Sequence, residues 1–189
     1  SAMQLLIREG FQVNSYNKYF VTPFMAAAQH GRLEAMDLLL EIGANIEAKN
    51  SDGATSLFIA IQSCNFRSVD YLIKKKANVN ARRFDKATPL HLAVRAENIG
   101  MIERLLENGA WPNAQDTGEW TPAAVALWTG NKRVIRVMAR HRLVSFEGSI
   151  GGKTFVEFFK ERYGEDLESL LAEHRAGGKG ETDPEIDID

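Results

Sequence analysis

The histidines and the single cysteine are the residues of this chain whose side chains could act in catalysis or bind a metal. The histidines are His30, His91, His141 and His174, and the thiol is Cys64. None of the histidines stands at a two-ligand spacing with Cys64 or with a carboxylate, so the sequence predicts no metal centre. For Cys64 a small packed thiol is favoured over a nucleophile. We therefore expect no catalytic site, no metal and no cofactor.

A glycine-rich segment superficially resembles a phosphate-binding loop. It reads Gly148-Ser149-Ile150-Gly151-Gly152-Lys153-Thr154. The glycine spacing differs from that of a P-loop and no strand is predicted before it, so phosphate binding is discounted. The residues left for function are those that could recognise a partner, and their positions depend on the elements that carry them.

Those elements follow from a repeat of 33 residues. Threonine recurs at that spacing, at Thr22, Thr55, Thr88, Thr121 and Thr154. In the copy Thr88–Val94 a hydroxyl cap precedes a proline, and apolar residues follow at helical spacing. A second helix is predicted from Ile99 to Glu107, ended by Asn108-Gly109-Ala110. Two such helices cannot cover their own apolar faces, so they must stack on copies of themselves.

The motif Thr88-Pro89-Leu90-His91-Leu92-Ala93, the loop Asn108-Gly109-Ala110 and the period resemble the ankyrin repeat. The resemblance covers about residues 4–175. It implies an all-α solenoid of stacked helix pairs with projecting β-turn fingers and a concave binding face, and we expect no β-sheet. It also implies that His91 forms a structural hydrogen bond across the finger base. The predicted units are a half repeat (4–16), full repeats (17–49, 50–82, 83–115, 116–148) and a capping repeat (149–175).

The repeats depart from the family pattern in two respects. Phe20, Lys86 and Glu119 occupy finger positions where the family prefers glycine, which Gly53 keeps, so individual turns are expected to deviate. In the last unit, aromatic residues at i, i+3 and i+4 predict a longer first helix that closes the core. They are Phe155, Phe158 and Phe159.

The repeat register also places the residues that should line the concave face. They lie on the fingers, just before them and at the exposed ends of the first helices: Lys18, Tyr19, Gln29, Lys49, Asp52, Gln62, Arg82, Phe84, Asp85, Arg95, Gln115, Trp120 and Trp128. Bases combined with large aromatic side chains favour an extended acidic peptide that carries apolar side chains. The alternative is that the aromatic side chains pack between adjacent fingers and that the bases are ordinary surface charges.

The C-terminal segment has the composition of such a ligand. Residues 176–189 are predicted to be a flexible acidic tail. Its acids alternate with isoleucines at the end: Glu181, Asp183, Glu185, Ile186, Asp187 and Ile188. If ordered, this tail is expected in the groove of a neighbouring copy.

Composition limits the class of protein. The formal net charge of −2 gives no global field that would attract nucleic acid or a membrane. A single cysteine fits the cytoplasm, or the nucleus. Residues 1–3 are interpreted as a remnant of tag cleavage, so the native protein is expected to continue upstream. The predicted function is a non-catalytic scaffold or adaptor that binds a protein or peptide. The alternatives are a regulatory segment of a larger enzyme and a nucleic-acid binder.

Overall fold

The computed structural model describes residues 9–175, and the helices within them follow one another in pairs. The first helices of the pairs are α1 (Pro23–Gln29), α3 (Ser56–Gln62), α5 (Pro89–Arg95), α7 (Pro122–Thr129) and α9 (Phe155–Tyr163). The second helices are α2 (Leu33–Glu41), α4 (Phe66–Lys74), α6 (Ile99–Glu107), α8 (Lys132–Arg140) and α10 (Leu167–Arg175). The helices α1, α3, α5 and α7 begin at Pro23, Ser56, Pro89 and Pro122, each one residue after a recurring threonine, which agrees with the 33-residue period. Residues 1–3 and the tail at 176–189 lie outside the described residues, and the predicted half repeat is described only from residue 9.

Threonine hydroxyls cap several first helices, as the repeat motif predicts. The Thr22 Oγ1 atom accepts a hydrogen bond from the Met25 amide at 3.3 Å, and Thr121 caps α7 in the same way. At α9 the Thr154 amide also donates to Glu157 Oε2 at 2.9 Å, which completes a capping box. The backbone and side-chain hydrogen bonds from Thr154 lower the pKa of Glu157. These repeats therefore carry the signal that starts their own first helix, whereas the Thr55 hydroxyl before α3 makes no cap bond.

The core runs through the whole stack because first helices pack on first helices. The helices α1, α3, α5, α7 and α9 contact one another in that order. A column of buried alanines at the 33-residue spacing permits this close approach: Ala27, Ala60, Ala93 and Ala126. The second helices contribute a parallel column of buried Leu39, Leu72, Leu105 and Met138. Each layer thus buries apolar surface that one helix pair would leave in water.

Asparagine side chains join the loops that follow the second helices. Asn80 Nδ2 donates to the Gly109 carbonyl at 2.9 Å, and Asn80 Oδ1 accepts from the Trp111 amide at 2.7 Å. Asn113 makes the corresponding pair of bonds to Leu143 and Ser145 one layer further on. These exposed loops are therefore tied to each other along the edge of the stack.

Three expectations are corrected by the structure. The glycine-rich segment forms a small antiparallel sheet, β1 (Ser149–Ile150) paired with β2 (Lys153–Thr154), whose turn is Gly151-Gly152 with both φ angles positive. The finger turns do not deviate, since Phe20, Lys86 and Glu119 adopt the same left-handed region as Gly53, with φ between 58° and 78°. Cys64 is exposed rather than packed, because it occupies a left-handed turn position with φ 51° that places it at the surface between α3 and α4.

Candidate functional site

Three of the described fingers are β-turns held by a side-chain oxygen at their base. The Asn17 Oδ1 atom accepts hydrogen bonds from the amides of Tyr19 and Val21, at 2.9 and 3.1 Å. Asn50 and Asp116 hold the second and fourth fingers by the same pair of bonds. Short polar side chains that bond to the backbone ahead of them favour such turns. In these three repeats the finger shape is therefore determined locally, whereas Arg83 takes the equivalent position in the third finger.

Backbone hydrogen bonds join each finger to the next. The Ser51 amide donates to the Tyr19 carbonyl at 3.0 Å, and the Phe84 amide donates to the Asp52 carbonyl at 3.1 Å. The Thr117 amide continues the series to the Asp85 carbonyl at 2.8 Å. The predicted residues Tyr19, Asp52, Phe84 and Asp85 therefore lie along one continuous ribbon.

The bases before the fingers form a row. The Lys49 Nζ atom donates to the Arg82 carbonyl at 2.8 Å, and Arg82 Nη2 donates to the Gln115 carbonyl at 2.9 Å. These three predicted residues lie side by side at the base of successive fingers. Within the described part of the chain neither Lys49 nor Arg82 forms an ion pair, so both charges face neutral acceptors.

The side chain of His91, in the third full repeat, forms a hydrogen bond to the finger of the fourth repeat. It is buried, with 1% of its surface exposed. Its Nδ1 atom accepts from the Thr88 amide at 3.1 Å, and its Nε2 atom donates to the Trp120 carbonyl at 2.9 Å. A carbonyl only accepts, so Nε2 carries the hydrogen and the imidazole is neutral. Burial lowers the pKa of His91, although the Trp120 bond and Asp116 oppose that shift. The expected structural bond across the finger base is present.

The C-terminal half of the concave face brings three predicted residues together. Arg95, at the end of α5, shares a cavity of about 410 Å³ with Trp120 of the fourth finger and Trp128 of α7. The two indole rings meet edge to face with centroids 5.5 Å apart. Trp128 nevertheless remains 47% exposed. The two tryptophans therefore pack on each other, as the alternative interpretation has it, and still present apolar surface to solvent.

The predicted residues of the N-terminal half are more dispersed. Lys18, Gln29 and Gln62 are exposed, and the Lys18 ammonium lies 4.9 Å from the centroid of the Tyr19 ring. Phe84 is 68% exposed and lies over Gly53 of the preceding finger, while Asp85 pairs with Arg83 at 3.1 Å. Lys18, Phe84 and Asp85 therefore belong to the fingers, whereas Gln29 and Gln62 lie at the ends of α1 and α3.

Sequence reasoning missed the contribution of α9 to this face. The Phe158 ring stacks on Trp128 with centroids 5.8 Å apart, and the Arg162 guanidinium lies 4.5 Å from the Trp128 ring centroid. The Tyr163 hydroxyl donates to the Trp128 carbonyl at 2.8 Å. Phe158 was expected in the core; Phe155 and Phe159 are buried there, whereas Phe158 is half-buried. The i, i+4 spacing of Phe158 and Arg162 was a signal that could have shown a second face on this helix.

Two further features bear on the kind of site. Among residues 9–175 no group of three or more histidine, cysteine or acidic side chains is placed to hold a metal ion. In the same residues no helix is long and apolar enough to cross a bilayer.

Comparison with known families gives the class of repeat. A family model described as ankyrin repeats (3 copies) matches residues 1–83. A second, described as ankyrin repeats (many copies), matches residues 72–126. The chain belongs to the ankyrin-repeat family. A search of curated proteins found no match. Ankyrin repeats generally mediate protein–protein interaction and are typically non-catalytic, which agrees with the general function expected from the sequence.

Proposed function

We propose that this ankyrin array is a non-catalytic scaffold or adaptor whose concave face binds an extended peptide carrying carboxylates and apolar side chains. The observation that supports it is a set of three cations, Lys49, Arg82 and Arg95, which form no ion pair with any described residue. Several other bases of the array are paired, as in Arg104 with Asp70 at 2.8 Å on the second helices, while some, such as Arg67 on α4, form no ion pair with a described residue. Positive charge without a partner is therefore found on the face that also carries the exposed aromatic rings.

The geometry favours an extended ligand over a compact one. Lys49 and Arg82 are separated by one repeat. The ammonium of Lys49 is bonded to the Arg82 carbonyl and the guanidinium of Arg82 to the Gln115 carbonyl, which keeps the two charged groups at a fixed spacing. Repeats stack at about 10 Å. A peptide in the polyproline II conformation advances about 3.1 Å per residue with three residues per turn, so every third side chain would lie on the same side and could meet the next repeat. Carboxylates at such intervals would match the row of bases.

The acidic tail is one source of a ligand with carboxylates and apolar side chains, and its acids recur at every second residue rather than every third. The linker at residues 176–180 spans at most about 17 Å, whereas five stacked layers at about 10 Å measure near 50 Å. Beginning after α10, the tail would reach Trp128 of its own chain more readily than Lys18 or Tyr19. We propose that a tail which crosses the middle of the groove belongs to a neighbouring copy.

The experiment measures binding of a fluorescein-labelled peptide of residues 181–189 to the full-length chain. In the chain, but not in the peptide, Glu181, Asp183, Glu185 and Asp187 are replaced by the corresponding amides, so that the chain's own tail does not compete with the peptide. Fluorescence anisotropy should show binding that Arg82→Glu weakens about tenfold or more. The matched control is Arg67→Glu, an exposed change on α4, which should leave affinity unchanged.

Two results would contradict the proposal. Equal affinity of the Arg82→Glu and Arg67→Glu chains would place the binding surface elsewhere. Tighter binding of a nonspecific single-stranded oligonucleotide than of the peptide, with a steep dependence on salt, would favour a nucleic-acid binder instead.

A further inference from the structure

The cavity between α5, the fourth finger and α7 combines apolar surface with one unpaired cation. It is lined by Arg95, Asp116, Trp120, Val125, Trp128 and Thr129 and measures about 410 Å³. That volume falls in the range of about 300–1,000 Å³ typical of ligand pockets. Val125 is buried, whereas Arg95 is exposed and pairs with none of the described acids.

Backbone hydrogen bonds and ring contacts position Trp120 and Trp128 without a ligand. The Trp120 amide donates to Asp116 Oδ1 at 3.0 Å, and the Trp120 carbonyl accepts from both the Asp116 amide and His91 Nε2. Trp128 is fixed on the other side by Phe158 and by the Tyr163 hydroxyl. A rigid aromatic site loses little conformational entropy when a partner binds, which is typical of interface hot spots.

The charges at the cavity decide between a cationic and an anionic ligand. An aromatic cage can bind a cation, but Arg162 already lies over the Trp128 ring at 4.5 Å. Arg95 adds a second positive charge at the lining. The Oδ1 atom of Asp116 is occupied by the amides of Gly118 and Trp120. A cationic side chain would meet Arg95 and Arg162 as like charges and Asp116 as an opposite charge, whereas a carboxylate placed beside Arg95 would find that guanidinium unpaired.

We propose that this cavity, which we call the anchor subsite, takes one aromatic side chain of the bound peptide while an adjacent carboxylate pairs with Arg95. The inference rests on the proposed function and names the chemistry of one position in the ligand. An aromatic ring fits the edge-to-face arrangement of Trp120 and Trp128, since aromatic pairs favour offset or perpendicular packing. The anchor subsite would thus set which residue of an acidic peptide lies in the C-terminal half of the groove.

The test is nuclear magnetic resonance of the full-length ¹⁵N-labelled chain, with the same four tail carboxylates replaced by amides, titrated with four synthetic peptides. The first is acetyl-Ser-Glu-Phe-Asp-Ser-amide. The second replaces the phenylalanine by alanine at the same charge, the third replaces both acids by their amides, and the fourth replaces both acids by trimethyl-lysine. The three tryptophans of the chain give three indole N–H signals, and that of Trp111, 55% exposed on a loop outside the cavity lining, serves as an internal control.

The acidic phenylalanine peptide should shift the indole signals of Trp120 and Trp128 and leave that of Trp111 in place. Its alanine counterpart should shift neither. Arg95→Gln should weaken binding of the acidic phenylalanine peptide about tenfold and leave binding of the amide peptide unchanged. The control variant, Arg67→Gln, should leave the affinity for both peptides unchanged. Circular dichroism should show that both variants keep the helical content of the parent.

The outcomes separate the two proposals. Shifts confined to amides around Lys49 and Arg82 would overturn the anchor subsite and leave groove binding standing. Tighter binding of the trimethyl-lysine peptide would also overturn it, since the site would then be a cation cage. If no acidic peptide perturbs the concave face while the chain remains folded, the proposed function itself fails.

Discussion

The Nε2 atom of His91 lies 2.9 Å from the carbonyl oxygen of Trp120, so the first helix of one repeat donates directly to the finger of the next. The other ring nitrogen accepts from the Thr88 amide at the start of the same helix. One neutral imidazole therefore satisfies a helix cap and an inter-repeat bond together. It also orients the finger that carries an indole ring of the anchor subsite.

The free energy of unfolding should decrease as the pH falls below about 6.5, the ordinary pKa of histidine. Burial lowers the pKa of folded His91, so the unfolded chain binds the proton more readily in this range. The stabilising contribution is present above pH 6.5 and is lost as the pH approaches the folded pKa. His91→Asn should be less stable at every pH but show a shallower slope in urea titrations between about pH 7.5 and 5.5. An unchanged slope would assign the pH dependence to other groups.

Lys86→Gly should raise the free energy of unfolding by about 0.5–1 kcal/mol. Lys86 has a φ of 59°, where a side chain costs about 1–2 kcal/mol, and the greater entropy of unfolded glycine offsets part of the gain. The matched control is Gly53→Ala in the preceding finger, whose new Cβ would lie 2.8 Å from the Phe84 amide nitrogen. It should destabilise by more than 1 kcal/mol. Chemical denaturation measures both, and a destabilising Lys86→Gly would show that the turn tolerates lysine without strain.

Asn113→Ala should lower the free energy of unfolding by about 1–2 kcal/mol. The change removes the 2.7 Å bond to the Leu143 carbonyl and the 2.8 Å bond from the Ser145 amide. Asn113→Asp keeps the acceptor for the Ser145 amide but sets an oxygen against the Leu143 carbonyl, so it should also destabilise while retaining the bond from Ser145. Hydrogen exchange at the Ser145 amide reports the same bond directly. Unaltered protection in Asn113→Ala would contradict its role as a link between layers.

Arg82→Glu should act mainly on the rate of association with an acidic peptide. Unpaired charge at the rim of a groove steers the encounter more than it holds the complex. The difference from the parent should shrink at high salt, since the Debye length falls from about 8 Å at physiological ionic strength to about 3 Å at 1 M. Stopped-flow fluorescence measures the rates. A change confined to dissociation would instead place Arg82 in tight contact with the ligand.

The full-length chain should self-associate at low salt if the tail binds a neighbouring groove. Replacing the carboxylates of Glu181, Asp183, Glu185 and Asp187 by amides should abolish the association, and so should Arg82→Glu. Multi-angle light scattering over a concentration series measures the mass. Association that persists in the amide variant would exclude the tail as the link, and a monomeric parent would exclude the contact.

The sequence was sufficient for the fold because each repeat carries its own signals. The threonine caps and the alanine column recur every 33 residues, and both act locally or between neighbours. The prediction that finger turns would deviate was wrong because it considered only the preference of glycine for a left-handed conformation. The bonds from Asn17 and Asp116, and those between fingers, impose the left-handed conformation on Phe20 and Glu119.

The candidate site was less predictable, since it depends on contacts between repeats. The register placed Arg95, Trp120 and Trp128 on one face, but no spacing in the sequence indicates that the three share a cavity. Arg162, which contacts the Trp128 ring, lies on α9, a helix that was predicted from the sequence only to close the core. The exposed Cys64 was misjudged because composition favours buried thiols, whereas its place in a turn between helices decides its exposure.

The bonds between repeats join residues close in sequence, and this affects how the array can be made. His91 and Trp120 are 29 positions apart, and Lys49 and Arg82 are 33. A repeat emerging from the ribosome therefore finds the partner of each such bond in the segment synthesised just before it. Synthesis proceeds at about 5–20 residues per second, so one repeat takes a few seconds, much longer than a helix needs to form. Co-translational folding can then advance one layer at a time, with each completed layer serving as the template for the next.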